Sequence, residues 1–216
     1  MNISVFGTGI VGKTIASKLI TLGHTVMMGS RTSENQEAVK WANENGGNAK
    51  HGTFTVAAEF GGIVFNCTKG EFSLAVLKSV GEKILSGKIL IDVANPLDFS
   101  KGMPPTLSVC NDNSLGEQIQ KAYPGTFVVK TLNTMNCGVM VDPSKVKGKH
   151  DVFVSGNEVE AKTKVIGLLQ SFGWVSPIDL GDITTARGTE MILPLWIRLW
   201  GVLKTGDFNF SIARND

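Results

Sequence analysis

Short apolar runs alternate with amphipathic segments from the start of the chain to Thr131. The runs suit buried strands and are too short for helices, whereas the segments between them repeat apolar residues at helical spacing. This alternation predicts a doubly wound, parallel α/β sheet with strand order 3-2-1-4-5-6. The predicted strands are 2–6, 25–31, 48–52, 63–67, 88–92 and 127–131. The predicted helices are 10–22, 33–45, 54–60, 72–80 and 115–122, and a proline-containing loop covers 93–113.

The pattern continues beyond residue 150 with predicted strands 151–155 and 176–179 and predicted helices 159–172 and 183–203. The two late strands either extend the main sheet or form a small lobe against it, and we favour the lobe. The predicted domains are therefore a sheet domain, 1–150, and a small C-terminal α/β extension, 151–216, that closes over a cleft.

The first predicted strand runs into the sequence Gly7-Thr8-Gly9-Ile10-Val11-Gly12, which opens the first helix. Gly7 permits a tight turn, Gly9 lets the backbone approach a phosphate, and Gly12 lets the helix pack closely on the strand. The N-terminus of that helix offers unpaired N–H groups to a pyrophosphate. With the second strand at the right distance, the unit predicts a dinucleotide-binding Rossmann domain.

The end of the second strand indicates which dinucleotide binds. NAD sites carry an acidic residue there, but this chain has Ser30, Arg31 and Thr32. Hydroxyl groups and a guanidinium suit the 2′-phosphate of NADP. In the alternative interpretation, Ser33 caps the next helix with Gln36, and Arg31 is a solvated turn residue.

Ligands of such sheets lie across the carboxyl ends of the strands. Those ends place further candidates along the cofactor: Cys67, Thr68, Ala94 and Asn95. We expect the nicotinamide ring beside Asn95, Pro96, Asn133, Thr134 and Met135, although Asn95-Pro96 is equally the pattern of a plain turn. The sequence identifies no catalytic acid or base, and roles for Asp92 and Lys130 stay open. Hydride transfer requires mainly distance and alignment.

Composition narrows the class of protein. Among 216 residues, 21 Lys and Arg against 19 Asp and Glu give a net charge of +2, and the basic residues are scattered, so we expect no nucleic-acid partner. The three cysteines, Cys67, Cys110 and Cys137, have no metal-ligand spacing. They favour reduced thiols, hence the cytoplasm, and no bound metal. The apolar stretch 191–203 is too short for a membrane span and predicts a buried or interface helix.

Four motifs together resemble the coenzyme F420-dependent NADP oxidoreductases and the NADPH-binding portion of membrane metalloreductases. They are Gly7–Gly12, Gly29–Arg31, Val128–Thr134 and the late Thr185-Ala-Arg187 with Glu190. The resemblance implies an enzyme that passes hydride between NADP(H) and a flavin-like acceptor, coenzyme F420 or FMN/FAD. It implies pyrophosphate contacts for Thr8, Gly9, Ile10 and Val11, 2′-phosphate contacts for Ser30 and Arg31, and further cofactor contacts for Cys67, Ala94 and Asn133.

One departure keeps the acceptor open. Deazaflavin reductases of this family carry a histidine at the position of Asn133. The alternatives are a reductase of ferric chelates or quinone-like molecules, and an NADP-binding redox sensor or partner subunit without turnover. The last predicted helix carries Leu195, Trp196, Leu199 and Trp200, which indicate either core packing or the face of a homodimer.

Overall fold

The computed structural model describes residues 1–213 and residue 215. Eight strands within these residues form a central sheet: β1 (Asn2–Phe6), β2 (Thr25–Ser30), β3 (Ala49–Thr53), β4 (Ile63–Asn66), β5 (Ile89–Asp92), β8 (Phe127–Thr131), β9 (Phe153–Gly156) and β10 (Ile178–Gly181). Their order across the sheet is β3-β2-β1-β4-β5-β8-β9-β10. Two short strands, β6 (Leu97–Asp98) and β7 (Thr106–Leu107), form a separate antiparallel ribbon inside the predicted loop 93–113.

Helices cover both faces of the sheet. They are α1 (Ile10–Thr21), α2 (Gln36–Asn45), α3 (Phe54–Phe60), α4 (Gly70–Val80), α5 (Glu82–Leu85), α6 (Leu115–Ala122), α7 (Cys137–Val141), α8 (Val159–Phe172), α9 (Ala186–Met191) and α10 (Leu193–Leu203). Helices α1, α2, α7 and α8 enclose one hydrophobic core, and α3, α4, α6 and α9 enclose the other. Every residue of β4 and β5 is buried because both of their faces are covered.

The predicted order of the first six strands is confirmed. Strands β1, β2, β3, β4, β5 and β8 pair in parallel in the order 3-2-1-4-5-6, counted along the chain. Parallel strands all end at the same edge of the sheet. The segments after Phe6, Ser30, Asn66, Asp92 and Thr131 therefore converge there.

The expected separate lobe is wrong, because β9 and β10 extend the main sheet beyond β8. Strand β9 pairs antiparallel to β8, with Val129 opposite Gly156, and the sequence analysis assigned no direction to this strand. The connection between the two strands holds only the five-residue helix α7 and a 3-10 turn. Parallel strands are usually joined by a helix that crosses back over the sheet, and the segment 132–152 contains no helix long enough for this, so the chain turns back beside β8. Residue 150 thus marks the start of an extension of one sheet, not a boundary between two sheets.

Two helices differ from their predicted bounds. The expected helix 183–203 is divided at Ile192 into α9 and α10, because Pro194 lies in the first turn of α10 and has no N–H to donate to the preceding turn. Helix α2 begins at Gln36, and its cap is Asn35, which accepts from the N–H of Ala38. The capping box of Ser33 with Gln36 is therefore wrong. No helix among the described residues is long and apolar enough to cross a bilayer.

Candidate functional site

The turn between β1 and α1 combines tight packing with one open position. Gly7 has a φ of +112°, which L side chains rarely adopt, and a Cβ there would lie 2.7 Å from the carbonyl oxygen of Cys67. A Cβ on Gly12 would lie 2.1 Å from the carbonyl oxygen of Gly7. At Gly9, by contrast, a Cβ would meet no atom within 4 Å. The backbone at Gly9 is thus accessible to a ligand.

Helix α1 starts at this open position. Its N-cap is Gly9, so no side chain caps its first N–H groups, and its first turn contains no acidic residue. The first N–H groups of a helix have no partner within the helix, and the helix dipole adds partial positive charge there. The turn therefore has the donors and the space that a pyrophosphate requires.

The loop after β2 is held by hydrogen bonds to its own carbonyl groups. Ser30 is buried, and its hydroxyl donates to the carbonyl oxygen of Thr32 over 2.6 Å. The Nδ1 atom of His51 lies 3.0 Å from the carbonyl oxygen of Ser33, and only the nitrogen of that pair can donate. Arg31 and Thr32 are exposed, and Arg31 forms no ion pair with another described residue.

Glu37, in the first turn of α2, is a carboxylate whose charge is paired with a cation. Glu37 accepts a short hydrogen bond from the ammonium group of Lys13 on α1. That hydrogen bond holds the pKa of Glu37 below its ordinary value, with a further contribution from the charge of Lys13. Glu37 is thus paired, and the exposed guanidinium of Arg31 is available to a phosphate, with Glu34 as the other carboxylate of the loop.

A cleft of about 330 Å³ opens at the carboxyl edge of the sheet. The predicted cofactor residues in its lining are Val11, Cys67, Thr68, Ala94, Asn95, Asn133 and Met135. Two predicted nicotinamide contacts, Pro96 and Thr134, are buried and do not line it. Ser30, Arg31 and Thr32 lie outside this cleft, at the end of β2.

The cleft also has walls that the sequence analysis did not assign to it. They come from the start of α4, the residue after β5, the ribbon, α7 and α10, and the residues are Lys69, Gly70, Glu71, Val93, Leu97, Phe99, Met140, Leu193, Trp196 and Ile197. Lys69 and Glu71 are exposed at its rim. Trp196 stacks on Phe208 at 5.2 Å and on Trp200 at 6.4 Å between ring centroids. The last helix thus belongs in part to the cleft, whereas its spacing had indicated only core packing or a dimer face.

Asn95 and Asn133 are bonded to each other across the cleft. The side-chain amide of Asn95 donates to the carbonyl oxygen of Asn133 over 2.9 Å, and the amide of Asn133 donates to Oδ1 of Asn95 over 3.0 Å. Asn133 also donates to the carbonyl oxygen of Thr189 in α9. Since both N–H bonds of Asn133 are engaged, any bond to a carboxamide would use its Oδ1 atom or the main chain.

An ionic cluster lies beneath this amide pair. The ammonium group of Lys130 is fully buried and donates to Asp92 over 2.8 Å, to Glu190 over 2.7 Å and to the carbonyl oxygen of Ala94 over 2.5 Å. Burial alone lowers the pKa of Lys130, but the two carboxylates and their hydrogen bonds outweigh it, so the pKa is raised. With its three donors engaged, Lys130 stays charged and is not an acid or base of the cleft. We name Lys130, Asp92 and Glu190 the Lys130 cluster.

The carboxylates of the Lys130 cluster are satisfied by backbone groups as well. Asp92 accepts from the side-chain amide of Asn66 and from the backbone N–H of Ala94. Glu190 accepts from the N–H groups of Leu115 and Gly116, at the N-terminus of α6. The role of Glu190 had no local sequence signal, because its backbone partners Leu115 and Gly116 are 75 and 74 positions away and Lys130 lies far from it in the sequence as well.

The remaining reactive side chains do not form a catalytic constellation. Burial, and then the charge of Asp92, raises the pKa of the Cys67 thiol, so that the cleft presents a neutral thiol. None of His24, His51 and His150 lines the cleft. Among the described residues, no group of three or more His, Cys, Asp or Glu side chains is placed to hold a metal ion.

The fold and the glycine turn define a dinucleotide-binding α/β protein of the Rossmann class. Residues 2–96 match the family profile described as NADP oxidoreductase, coenzyme F420-dependent. An F420-dependent NADP reductase of Methanocaldococcus jannaschii is 30% identical over 92% of this chain and 92% of its own length. The chain therefore belongs to the family of F420-dependent NADP reductases and is an NADP-dependent oxidoreductase.

Two further proteins are similar over most of this chain. A crystal structure of a candidate F420-dependent NADP reductase from Arthrobacter sp. FB24 has a TM-score of 0.96 and 52% identity, covering 99% of this chain and 100% of that one. Metalloreductase STEAP3 of Rattus norvegicus is 25% identical over 90% of this chain, which spans 37% of that protein. The first likeness supports the fold in detail, and the second extends to only part of a larger protein.

The glycine turn gives a paired prediction. Gly12→Ala should lower the free energy of unfolding by about 1–3 kcal/mol, because its Cβ would collide with a backbone oxygen that cannot rotate away. Gly9→Ala should leave the melting temperature unchanged and weaken NADPH binding several-fold, because its Cβ meets no protein atom but enters the space open to a phosphate. Thermal unfolding and calorimetric titration measure both. Tight NADPH binding by Gly9→Ala would contradict the phosphate assignment.

Arg31→Ala tests the choice of cofactor. A hydrogen bond to a charged group contributes about 1.5–3 kcal/mol, and about 1.4 kcal/mol corresponds to tenfold in affinity. The variant should therefore bind NADPH at least about tenfold more weakly while NADH affinity stays the same. Lys164→Ala, which removes an exposed cation from α8, is the matched control. Equal losses for NADPH and NADH with Arg31→Ala would refute a 2′-phosphate contact.

Proposed function

We propose that the protein transfers hydride between NADP(H) and a flavin-like acceptor, coenzyme F420 or a flavin. The observation that carries this proposal is the cleft at the carboxyl edge of the sheet. Its inner part is formed by the amide pair of Asn95 and Asn133, and its outer part by apolar and aromatic side chains of the ribbon and α10. A polar floor and an apolar outer wall suit two ring systems held next to each other.

The cofactor would be held in three places. Gly7 to Gly12, with Thr8, Gly9, Ile10 and Val11, would contact the pyrophosphate, and Ser30, Arg31 and Thr32 would contact the 2′-phosphate. The remainder would lie along Cys67, Thr68, Ala94, Asn95 and Asn133, with Met135 at the nicotinamide end. Pro96 and Thr134, which are buried, would support that end from behind.

When bound, the nicotinamide supplies or accepts the hydride. The chain's own contribution is to orient and to exclude water, because the cleft presents no histidine and a neutral thiol. Well-aligned reactants about 3–3.5 Å apart react without acid–base help from the protein. The proton that accompanies reduction of a ring acceptor would come from solvent at the rim, where Lys69 and Glu71 are exposed.

The related proposals differ in the molecule that accepts the hydride. Relatives named F420-dependent NADP reductases favour the deazaflavin, and the similarity to a metalloreductase keeps ferric chelates as an alternative. A quinone-like acceptor would fit the same apolar wall. A sensor or partner subunit without turnover would use the same cofactor contacts, and would react with none of these acceptors.

Purified protein with NADPH should be offered coenzyme F420, FMN, FAD, a ferric chelate and a water-soluble quinone in parallel. We expect NADPH absorbance at 340 nm to fall with F420 or a flavin, and kcat/KM to be highest for that acceptor. Mixing the enzyme with NADPH alone is the control for slow oxidation by air. NADPH binding without oxidation by any acceptor would exclude the reductase and support the sensor.

We also propose that the protein is located in the cytoplasm, where its three free thiols remain reduced. A homodimer formed through α10 is a further proposal. Helix α10 exposes Leu195 by 52% and Val202 by 78%, and the helical period places these two apolar side chains on one side of the helix, away from Ile197 in the cleft. A two-fold axis beside such a helix buries the same residues on both copies.

Val202→Glu should shift the mass measured by light scattering from two chains to one, because it places two charges at the axis. Val159→Glu on α8 makes the same change at a residue that is 71% exposed, and it should leave the dimer intact. A wild-type protein of single-chain mass at high concentration would refute this interface.

A further inference from the structure

We infer that the Lys130 cluster positions the two sides of the cleft relative to each other, so that Lys130, Asp92 and Glu190 are positioning residues for hydride transfer. One side is the turn at Ala94 and Asn95, and the other is α9 with α10. The inference rests on the proposed function for its last step, namely that the cleft aligns two reacting rings.

The cluster fixes the turn through both backbone groups of one residue. Lys130 donates to the carbonyl oxygen of Ala94 over 2.5 Å, and Asp92 accepts from the N–H of Ala94 over 3.2 Å. Lys130 and Asp92 are joined over 2.8 Å, and the side chains of both are fully buried. Ala94 is therefore held by charged groups at both its N–H and its carbonyl oxygen, and the carbonyl belongs to the peptide that leads into Asn95.

The same cluster fixes α9. Glu190 accepts from Lys130 over 2.7 Å and from the N–H of Leu115 over 2.8 Å, and its side chain is 2% exposed. Only Ile192 separates α9 from α10. A shift of Glu190 would thus carry Leu193, Trp196 and Ile197, which line the cleft.

None of the three charged residues lines the cleft itself. Lys130 has used its three donors within the protein, so it has no proton to exchange with a ligand. The cluster can act on the reaction only through the placement of the residues that it holds. A misplacement of about 1 Å costs about a hundredfold in rate, so a small rearrangement is enough to be measured.

Glu190→Gln tests the link to α9. The amide keeps the shape of the side chain, but its NH2 group must face either the ammonium of Lys130 or a backbone N–H, all of which are donors. In cofactor-free protein we expect faster hydrogen exchange in residues 186–203 and unchanged exchange in β1 and α1. In single-turnover experiments we expect hydride transfer at least about tenfold slower, with the Kd for NADPH little changed.

Asp179→Asn is the matched control. Asp179 accepts from Lys162 over 2.8 Å, and Lys162 also donates to the carbonyl oxygen of Gly181, so this pair repeats the ammonium, carboxylate and carbonyl pattern away from the cleft. The control should lower the melting temperature and leave both the hydride-transfer rate and exchange in residues 186–203 unchanged. A purely structural role of Glu190 would give the same result as this control.

The double variant Asp92→Asn with Lys130→Met tests the link to the turn. It removes the ion pair and leaves Glu190 bonded to the N–H groups of Leu115 and Gly116, so no buried carboxylate is left without a donor. The proposal requires that at least one of this variant and Glu190→Gln folds cooperatively and transfers hydride more slowly than the wild type.

Three results would overturn the inference: folded variants with the wild-type rate, faster exchange spread over the whole chain, or failure of both variants to fold. The last would mean that the cluster serves the fold and not the cleft. If the wild type reduces no acceptor, the proposed function fails separately. The exchange pattern of the cofactor-free protein then decides alone whether the cluster holds α9 and α10 in place.

Discussion

The buried positive charge of Lys130 is the interaction on which the arrangement of the cleft depends. An ammonium group inside a protein stays charged only where carboxylates and carbonyl oxygens replace water, and removing one partner of such a pair costs about 3–5 kcal/mol. The partners of Lys130 come from β5, from the turn after it and from α9. The ion pair of Lys130 on β8 with Glu190 therefore also holds α9 of the C-terminal extension against the sheet. The extra negative charge of the second carboxylate is placed at the N-terminus of α6, where the helix dipole stabilises it.

The glycine turn imposes a different constraint, which is steric. Gly7 and Gly12 pack so closely that a Cβ on either would touch backbone atoms, whereas Gly9 faces open space. Close packing at two positions fixes where the third lies, and this rigidity is what allows an uncapped helix N-terminus to serve as a preformed anion site. The Lys130 cluster thus fixes one part of this sheet edge by charge neutralisation, and the glycine turn fixes another part by close packing.

Features with local causes were predictable from the sequence. The parallel order of the first six strands follows from alternating apolar runs, and the glycine turn follows from its spacing. Features decided between distant residues were not. The antiparallel pairing of β9 depends on how short the connecting helix is, and Asn35 displaced Ser33 as a cap although both residues suit that position. Glu190 is polar and lies in an apolar stretch, but nothing near it in sequence reveals Lys130, Leu115 or Gly116 as its partners.

The distribution of hydrogen bonds also indicates where an acceptor would be distinguished from others. In the inner cleft, both N–H bonds of the Asn133 amide and one of the Asn95 amide are engaged within the protein, and so are the charges beneath them. Donation from those N–H groups to a ligand would require breaking bonds that hold the turn and α9, so polar contacts there are left to Oδ1 of Asn133, the second N–H of Asn95 and the main chain. Among the described residues, the side chains of the outer wall form no such hydrogen bonds. Phe99 is 52% exposed, and Trp196 is supported by Phe208 and Trp200 on flanking positions. Under the proposed function, this wall would select a hydride acceptor by the size and flatness of its ring, and by a hydrogen-bond acceptor for the indole N–H of Trp196, which is buried and has no partner among the described residues.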